Sequence, residues 1–186
     1  LADYAAALCL RVEWMPVDDS RANLLLSAAG AGRADTLFLG HLDTVPAYDI
    51  EHYDFTLENG ICHGLGTADM KGGCAAMLEA FGAAAEGGVL SEDVVLALVV
   101  GEEETGDGTQ ALLEKTSFGQ ALVAEPTDLR PCLEHFGYVE MLVRAFGYRR
   151  HAAMSGRDTN ATRALLRLLL ELEDRVDAEG QGTVLN

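Results

Sequence analysis

The chain has 186 residues, of which 49% are hydrophobic, so it is long enough to bury a core and is not expected to be disordered. Its 30 acidic and 13 basic side chains give a net charge of −17. This charge argues against nucleic acid or an anionic membrane as a partner, because both attract clustered Lys and Arg. No apolar run is long enough to span a bilayer and no signal peptide is visible, so we expect a cytoplasmic location.

Apolar runs that stop at Gly or at acidic residues predict an α/β fold in chain order. A Gly-rich segment, 64–73, opens an Ala-rich helix. The predicted elements are strands at 22–27, 37–40, 94–100 and 121–124 and helices at 74–85 and 108–115. The continuous apolar runs at 37–40 and 94–100 are typical of strands that are buried on both faces.

A second region follows a boundary that we place near residues 134–137. Alternating apolar residues over 138–146 predict an antiparallel strand. Residues 158–160 offer a cap for a Leu-rich helix that extends to about Asp177. We expect its leucines to pack on a sheet of the same domain rather than on a partner helix. The predicted domains are therefore 1–136 and 137–186.

Polar residues follow the predicted strands where an open α/β sheet keeps its ligands. His41 and Asp43 follow the first strand of this group, three glutamates at 102–104 follow the second, Glu125 follows the third, and Asp69 begins the helix. Taken singly, each is explained by a turn, a helix cap or a solvated face. Together they would place several carboxylates on one edge, where their charges repel unless a cation neutralises them. A histidine with carboxylates suits zinc, with manganese or cobalt as alternatives.

Four motifs add a resemblance to this interpretation: HLDTVPA, GLGTADMKGG, GEEETG and AEPTD. In this order and spacing, from about Leu37 to Glu173, the chain resembles the dinuclear metallopeptidases that include acetylornithine deacetylase, succinyl-diaminopimelate desuccinylase, carboxypeptidase G and the aminoacylases. The resemblance implies a zinc-peptidase-like catalytic domain with a mostly parallel sheet flanked by helices, followed by the start of an α+β lid or dimerisation domain. It also implies hydrolysis of an amide bond in small N-acyl amino acids or short peptides, and a homodimer when the protein is full length.

The resemblance assigns two divalent metal ions to this chain, with zinc favoured over cobalt or manganese. His41 and Glu125 would bind the first ion, Asp69 would bridge both ions, and Glu104 would bind the second. In relatives the peptide bond that follows the bridging Asp is often cis, so the resemblance implies strain between Asp69 and Met70.

The resemblance also assigns the residues that carry out the reaction. Glu103 would be the general base, and Asp43 would bind the second ring nitrogen of His41 and fix its tautomer. Glu102 stands where relatives usually have Asp. His151 would stabilise the oxyanion from the lid, although small serines and a proline usually follow that histidine and Ala152 and Ala153 follow it here. A surface histidine beside Arg149 and Arg150 explains His151 equally well.

The chain also departs from this family in length, because family members are roughly twice as long as this chain and consist of a catalytic domain and a lid, which is above the usual single-domain range. We therefore expect a fragment, in which no histidine after His151 completes the second metal site. Two alternatives stay open. One is a metallo-aminopeptidase that acts on free N-termini, and the other is a degenerate, metal-poor relative without catalytic activity.

Overall fold

The computed structural model describes residues 1–28, 34–48, 53–135, 137, 141–148, 151 and 160–179. Internal contacts divide the chain into two units, Leu1–Cys132 and Leu133–Asn186. The assignment of 1–136 and 137–186 as a catalytic and a lid domain stays a prediction.

The first unit contains three helices and seven strands among the described residues. They are α1 (Ala2–Ala7), β1 (Arg11–Pro16), β2 (Ala22–Ser27), β3 (Thr36–His41), β4 (Thr56–Glu58), β5 (Ile61–His63), α2 (Gly72–Glu86), β6 (Val94–Val99), α3 (Asp107–Lys115) and β7 (Gln120–Val123). A short irregular π-type turn over Thr67–Lys71 precedes α2. The sequence did not predict α1, β1 or the small β4–β5 hairpin.

Five strands form one sheet in the order β1-β2-β6-β3-β7, while β4 and β5 pair with each other. β3 lies between β6 and β7 and is parallel to both. β2 is antiparallel to both of its neighbours, so four of the five strands point in one direction. The predicted α/β fold with a mostly parallel sheet is confirmed.

The core covers both faces of this sheet, and β6 contributes to each of them. Leu96 and Leu98 pack with residues of α2 such as Leu78 and Phe81. Ala97 and Val99 point to the opposite face, where they pack with Leu112 of α3. These four residues of β6 are at most 1% exposed. Burial on both faces explains why the sequence of β6 is a continuous apolar run.

The second unit contains α4 (Ala161–Glu179). Asn160 caps this helix, because its Oδ1 accepts a hydrogen bond from the Arg163 amide at 3.0 Å. Of the strand predicted over 138–146, residues 138–140 lie outside the described part and 141–146 form no strand. Alternating residues make a strand only beside a pairing partner, and the described part of this unit contains none.

The leucines of α4 also differ from expectation. Leu166, Leu169 and Leu170 are 57%, 48% and 61% exposed. The predicted packing on a sheet of the same domain is wrong for the described residues, because none of the second unit's described residues belongs to a strand. In the described ranges, no helix combines the length and apolar character that are required to cross a bilayer.

Candidate metal centre

The pairing of β3 with β7 places His41 and Glu125 at the same height on the sheet. Leu39 is paired with Val123. His41 lies two positions after Leu39, and Glu125 lies two positions after Val123. The amide of Ala124 continues the pairing by donating to the carbonyl of Leu39 at 3.4 Å. Two parallel strands that end side by side therefore bring an imidazole and a carboxylate together at the C-terminal edge, as predicted.

Asp69 reaches the same edge from the irregular turn that precedes α2. The peptide bond between Asp69 and Met70 is cis, as the resemblance implied, and Met70 is fully buried. Gly73 lets the first turn of α2 approach β7 closely. A Cβ atom at Gly73 would lie 2.3 Å from the carbonyl oxygen of Ala124, the residue before Glu125. The absence of a side chain at Gly73 thus sets how near Asp69 comes to Glu125.

Three side chains have ligand atoms that all lie within 4.8 Å of one another: His41, Asp69 and Glu125. We call them the His41 set. His41 Nε2 lies 3.1 Å from Asp69 Oδ1 and 3.8 Å from Glu125 Oε1. Tetrahedral zinc with bonds of 2.0–2.2 Å separates its ligand atoms by about 3.4 Å. The spacing within the set fits that requirement.

The hydrogen bonds of His41 define which ring nitrogen faces the acids. Nδ1 lies 3.1 Å from the main-chain carbonyl oxygen of Asp43, which can only accept, so Nδ1 carries the proton. In neutral imidazole, Nε2 then presents a lone pair to the carboxylates of Asp69 and Glu125. Either a second proton or a cation must lie there to make that arrangement favourable, and the donor set of one imidazole and two carboxylates suits zinc.

The carboxylate of Asp43 does not make the hydrogen bond that the resemblance implied for it. Its Oδ1 lies 3.7 Å from His41 Nδ1, and the carbonyl of the same residue takes that position. Oδ2 instead accepts a 3.0 Å hydrogen bond from the amide of Glu103. Oδ1 is buried and has no hydrogen-bond partner. Asp43 thus supports His41 through its main chain and Glu103 through its side chain.

The three consecutive glutamates occupy different positions. Glu102 Oε2 lies 3.8 Å from His41 Nε2, in agreement with the predicted convergence of carboxylates at this edge, although the resemblance gave Glu102 no role. Glu103 is half-buried. Glu104 is exposed and, among the described residues, does not belong to the His41 set. His151 is exposed and belongs to the second unit. The roles of Glu104 and His151 stay predictions.

The acids in this region oppose each other's ionisation. Burial raises the pKa of Glu125, and the nearby charge of Asp69 raises it further. Burial and then Asp69 raise the pKa of Glu103 in the same way. For His41, burial acts to lower the pKa, but the hydrogen bond to Asp69 and the charges of Glu102 and Glu125 outweigh it and the pKa is raised. These shifts indicate an excess of negative charge that a cation would neutralise.

A cavity of about 660 Å³ opens beside the His41 set. His41, Glu102 and Glu125 contribute the acidic and imidazole groups of its wall, while Leu113 and Val123 contribute apolar surface. A cleft that combines a few convergent polar groups with apolar walls is typical of a small-molecule site.

The model of Peptidase family M20/M25/M40 matches residues 37–183. The chain belongs to this family. The resemblance inferred from the four motifs is thereby confirmed, and the match covers the strands, the turn and the helix that build the His41 set.

A curated protein is similar in sequence to this M20/M25/M40 chain. Acetylornithine deacetylase of Salmonella arizonae is 32% identical over 168 residues, which are 87% of this chain and 44% of the relative. The chain thus spans less than half the length of that protein.

Solved structures agree on the fold. An M20 family metallo-carboxypeptidase from Sulfolobus solfataricus superposes with a TM-score of 0.51 at 18% identity, over 66% of this chain and 30% of the other. A tripeptidase from Staphylococcus aureus also gives 0.51, at 21% identity, over 66% of this chain and 35% of the other. At these identities the similarity supports the fold alone.

Sequence reasoning missed three residues that support the site. The resemblance gives Glu102 no role beyond its replacement of Asp, although its carboxylate lies beside His41. Cys74 lies beneath the site, where its thiol donates to the carbonyl of His41 at 3.3 Å. Asn23 is a polar residue in the largely apolar strand β2, and its side chain is fully buried. A buried amide in an apolar run is a signal that the sequence carried, although its partners lie far along the chain.

Proposed function

We propose that this chain forms the catalytic part of a metal-dependent hydrolase that cleaves an amide bond in small N-acyl amino acids or short peptides. One observation carries the proposal: His41 Nε2, with Nδ1 tied to a carbonyl, faces Asp69 and Glu125 at the spacing that zinc ligands need. Membership of family M20/M25/M40 supports the same chemistry.

His41, Asp69 and Glu125 would hold the first cation, and Asp69 and Glu104 would hold a second. A bound divalent cation supplies an acidified water and polarises the scissile carbonyl. The presence of two ions, their identity as zinc, a homodimer and a cytoplasmic location are parts of this proposal that rest on the resemblance.

Glu103 is the general base of this proposal. Burial and Asp69 raise its pKa, which brings a carboxylate closer to the neutral value that suits proton transfer. Asp43 holds the main chain of Glu103, so the position of the base is fixed from the first motif. Glu103 would take the proton of the attacking water and deliver it to the leaving amine, while His151 would stabilise the oxyanion from the lid.

The similarity to acetylornithine deacetylase and the segment 125–128 favour deacylation of an N-acyl amino acid. A metallo-aminopeptidase is the competing enzyme, and it requires a free amine. A paired assay of one amino acid, as its N-acetyl derivative and as its free amide, separates the two. Hydrolysis of the N-acetyl compound alone supports deacylation, and hydrolysis of the free amide alone contradicts it.

Metal content tests the site itself. We expect near-stoichiometric zinc in the purified chain after incubation with zinc and dialysis, measured by elemental analysis. His41→Ala, Asp69→Asn and Glu125→Gln should each lose it, because each removes one member of the set. His63→Ala is the matched control, since His63 is exposed on β5 outside the set. Equal zinc in wild type and His41→Ala, or no zinc in either, would reject the site and leave a non-catalytic relative.

Turnover separates the base from the ligands. Glu103→Gln should keep its zinc and lose about 10²–10⁴-fold in kcat, which is the usual contribution of a positioned acid–base group. A Glu103→Gln protein that keeps most of its kcat would remove Glu103 as the base.

A further inference from the structure

Asn23 and His41 are the buried polar side chains of the described residues, at 0% and 1% exposure. The metal centre explains the burial of His41. Asn23 lies in β2, on the side of β6 away from β3, and takes no part in the His41 set. Because burying a carboxamide is costly unless its hydrogen bonds are made, its partners indicate what it is for.

Both partners of Asn23 flank one segment, which we call the acidic turn (residues 101–106). Oδ1 accepts from the amide of Val100 at 3.2 Å, immediately before the turn. Nδ2 donates to the carbonyl of Gly108 at 2.7 Å, just after it. The main-chain pairing of β2 with β6 ends at Leu24 and Leu98, so the side chain of Asn23 replaces the pairing that stops there.

Gly108 shows how tightly the base of the turn is closed. A Cβ atom at this buried residue would lie 2.1 Å from the carbonyl oxygen of Val100 and 2.8 Å from Oδ1 of Asn23. The first turn of α3 therefore lies directly against the end of β6. Within the turn, the amides of Thr105 and Gly106 both donate to the carbonyl of Gly101. The acidic turn is thus a closed loop, and Asn23 joins its two ends.

We propose that Asn23 is a positioning residue that fixes the acidic turn and, through it, the carboxylates of Glu102 and Glu103 beside the His41 set. The inference rests on the proposed function, since it assigns Asn23 to the support of the base. Asn suits this position because the Val100 amide is a donor and the Gly108 carbonyl is an acceptor. A carboxamide carries an acceptor oxygen and a donor nitrogen on the same carbon, so it can bind both. Leu supplies neither, and the Ser hydroxyl is too short to reach both ends.

Hydrogen exchange tests the clamp directly. In Asn23→Leu and Asn23→Ser, the amides of Glu103, Thr105 and Gly106 should exchange about tenfold faster or more relative to the amides of β3. Leu26→Ala is the matched control, because Leu26 is fully buried in the same strand but pairs with Leu96, away from the turn. It should lower the stability of the whole unit without a selective change in the turn.

Turnover tests the consequence. Both Asn23 variants should lose about 10²-fold in kcat with KM changed by less than about threefold, because a displaced base affects the transition state more than binding. Gly108→Ala should reproduce this loss with Asn23 intact, since its Cβ opens the same closure. Leu26→Ala should keep its kcat, and zinc bound to the His41 set should persist in all four variants.

Two results would overturn the inference: unchanged turn exchange in both Asn23 variants, or an equal loss of kcat in Leu26→Ala. The exchange measurement requires neither metal nor substrate. If the wild-type chain binds no zinc and hydrolyses nothing, the proposed function fails, while the exchange data still decide whether Asn23 closes the turn.

Discussion

The amide of Glu103 donates a 3.0 Å hydrogen bond to Oδ2 of Asp43, a residue 60 positions earlier in the chain. This bond joins the first motif to the third, because Asp43 follows β3 and Glu103 lies in the acidic turn after β6. The same Asp43 holds His41 through its main-chain carbonyl. One residue therefore sets which ring nitrogen of His41 faces the carboxylates and holds the main chain of Glu103, the proposed base.

Removal of the Asp43 carboxylate should break its hydrogen bond with the amide of Glu103. We expect Asp43→Ala to lower the free energy of unfolding by about 1.5–3 kcal/mol, the usual value for a hydrogen bond to a charged group. Urea unfolding in the presence of a chelator measures this loss without a contribution from metal binding. The kcat should fall as well, while zinc stays bound.

Asp43→Asn is the informative companion variant, because it keeps an oxygen that can accept from the Glu103 amide and removes only the charge. It should retain most of the stability that Asp43→Ala loses. An equal loss in both variants would show that the charge beside His41, at 3.7 Å from Nδ1, matters rather than the hydrogen bond.

Much of the candidate metal centre follows from the sequence because the ends of strands are local properties of apolar runs. Once β3 and β7 are recognised as parallel strands, His41 and Glu125 come together wherever those strands are neighbours. The positions of Glu102 and Glu104 do not follow in this way. They depend on the path of the acidic turn, which is fixed by hydrogen bonds to Asn23 and Asp43 from distant parts of the chain.

The same reasoning explains why residues 141–146 of the second unit form no strand. Alternation over 138–146 describes which residues share a face, but a strand also needs an edge to pair with. Asn23 illustrates the opposite case. The polar residue in β2 was visible in the sequence, yet its partner Gly108 lies 85 positions away and could not be identified without the fold.

A methyl group at Gly73 should disturb the His41 set through packing alone. The Cβ of Gly73→Ala would meet the carbonyl of Ala124 at 2.3 Å, so the chain that leads to Glu125 must move. The better helix propensity of Ala offers about 1 kcal/mol, whereas such overpacking costs about 1–3 kcal/mol. We expect zinc affinity to fall about tenfold, as measured by competition with a chelating dye.

Gly87→Ala, just after the other end of α2, is the control for this change. The Cβ atom of Gly87→Ala would lie 3.2 Å from the carbonyl oxygen of Ala83. This position is at the end of α2 away from the His41 set. It should bind zinc as wild type does. Unchanged affinity in Gly73→Ala would mean that α2 moves to accommodate the methyl group and that Gly73 does not set the distance between Asp69 and Glu125.

Without metal, the protein should become less stable as the pH rises from 5 to 8. Glu103 and Glu125 have pKa values raised above the ordinary 4.5, so the folded state holds their protons more strongly than the unfolded state does. His41 has a pKa raised above the ordinary 6.5, with the same consequence at higher pH. Stability is therefore lost as the pH passes upward through these values.

Urea unfolding at pH 5 and pH 8 in chelator measures this slope. Asp18 and Asp107 have pKa values lowered below the ordinary 3.8. Their stabilisation is complete above pH 3.8, so it does not change between pH 5 and pH 8. Glu125→Gln should reduce the slope, and saturating zinc should reverse it, because a cation favours ionised carboxylates and neutral imidazole. Stability that rises with pH in the metal-free protein would contradict the crowding of acids around His41.

The thiols report on opening of the same site. Cys9, Cys62 and Cys132 are exposed, whereas Cys74 is 5% exposed beneath His41. Burial raises the pKa of Cys74 to about 11. The thiolate is the reactive form, so a raised pKa and burial both slow the reaction of Cys74. A disulfide reagent at pH 8 should label the three exposed thiols quickly and Cys74 only after unfolding. Cys74→Ala should retain the three fast thiols, and four fast thiols in wild type would contradict the burial.

Zinc should slow the labelling of Cys74 further. The thiol donates to the carbonyl of His41, so the slow phase requires the opening of the segment that carries His41, the proposed metal ligand. If zinc binds only the closed form, the rate falls by the factor 1 + [Zn]/Kd. In His41→Ala the rate should not respond to zinc. A slow phase that is insensitive to zinc in wild type would mean that Cys74 becomes accessible without opening of the metal centre.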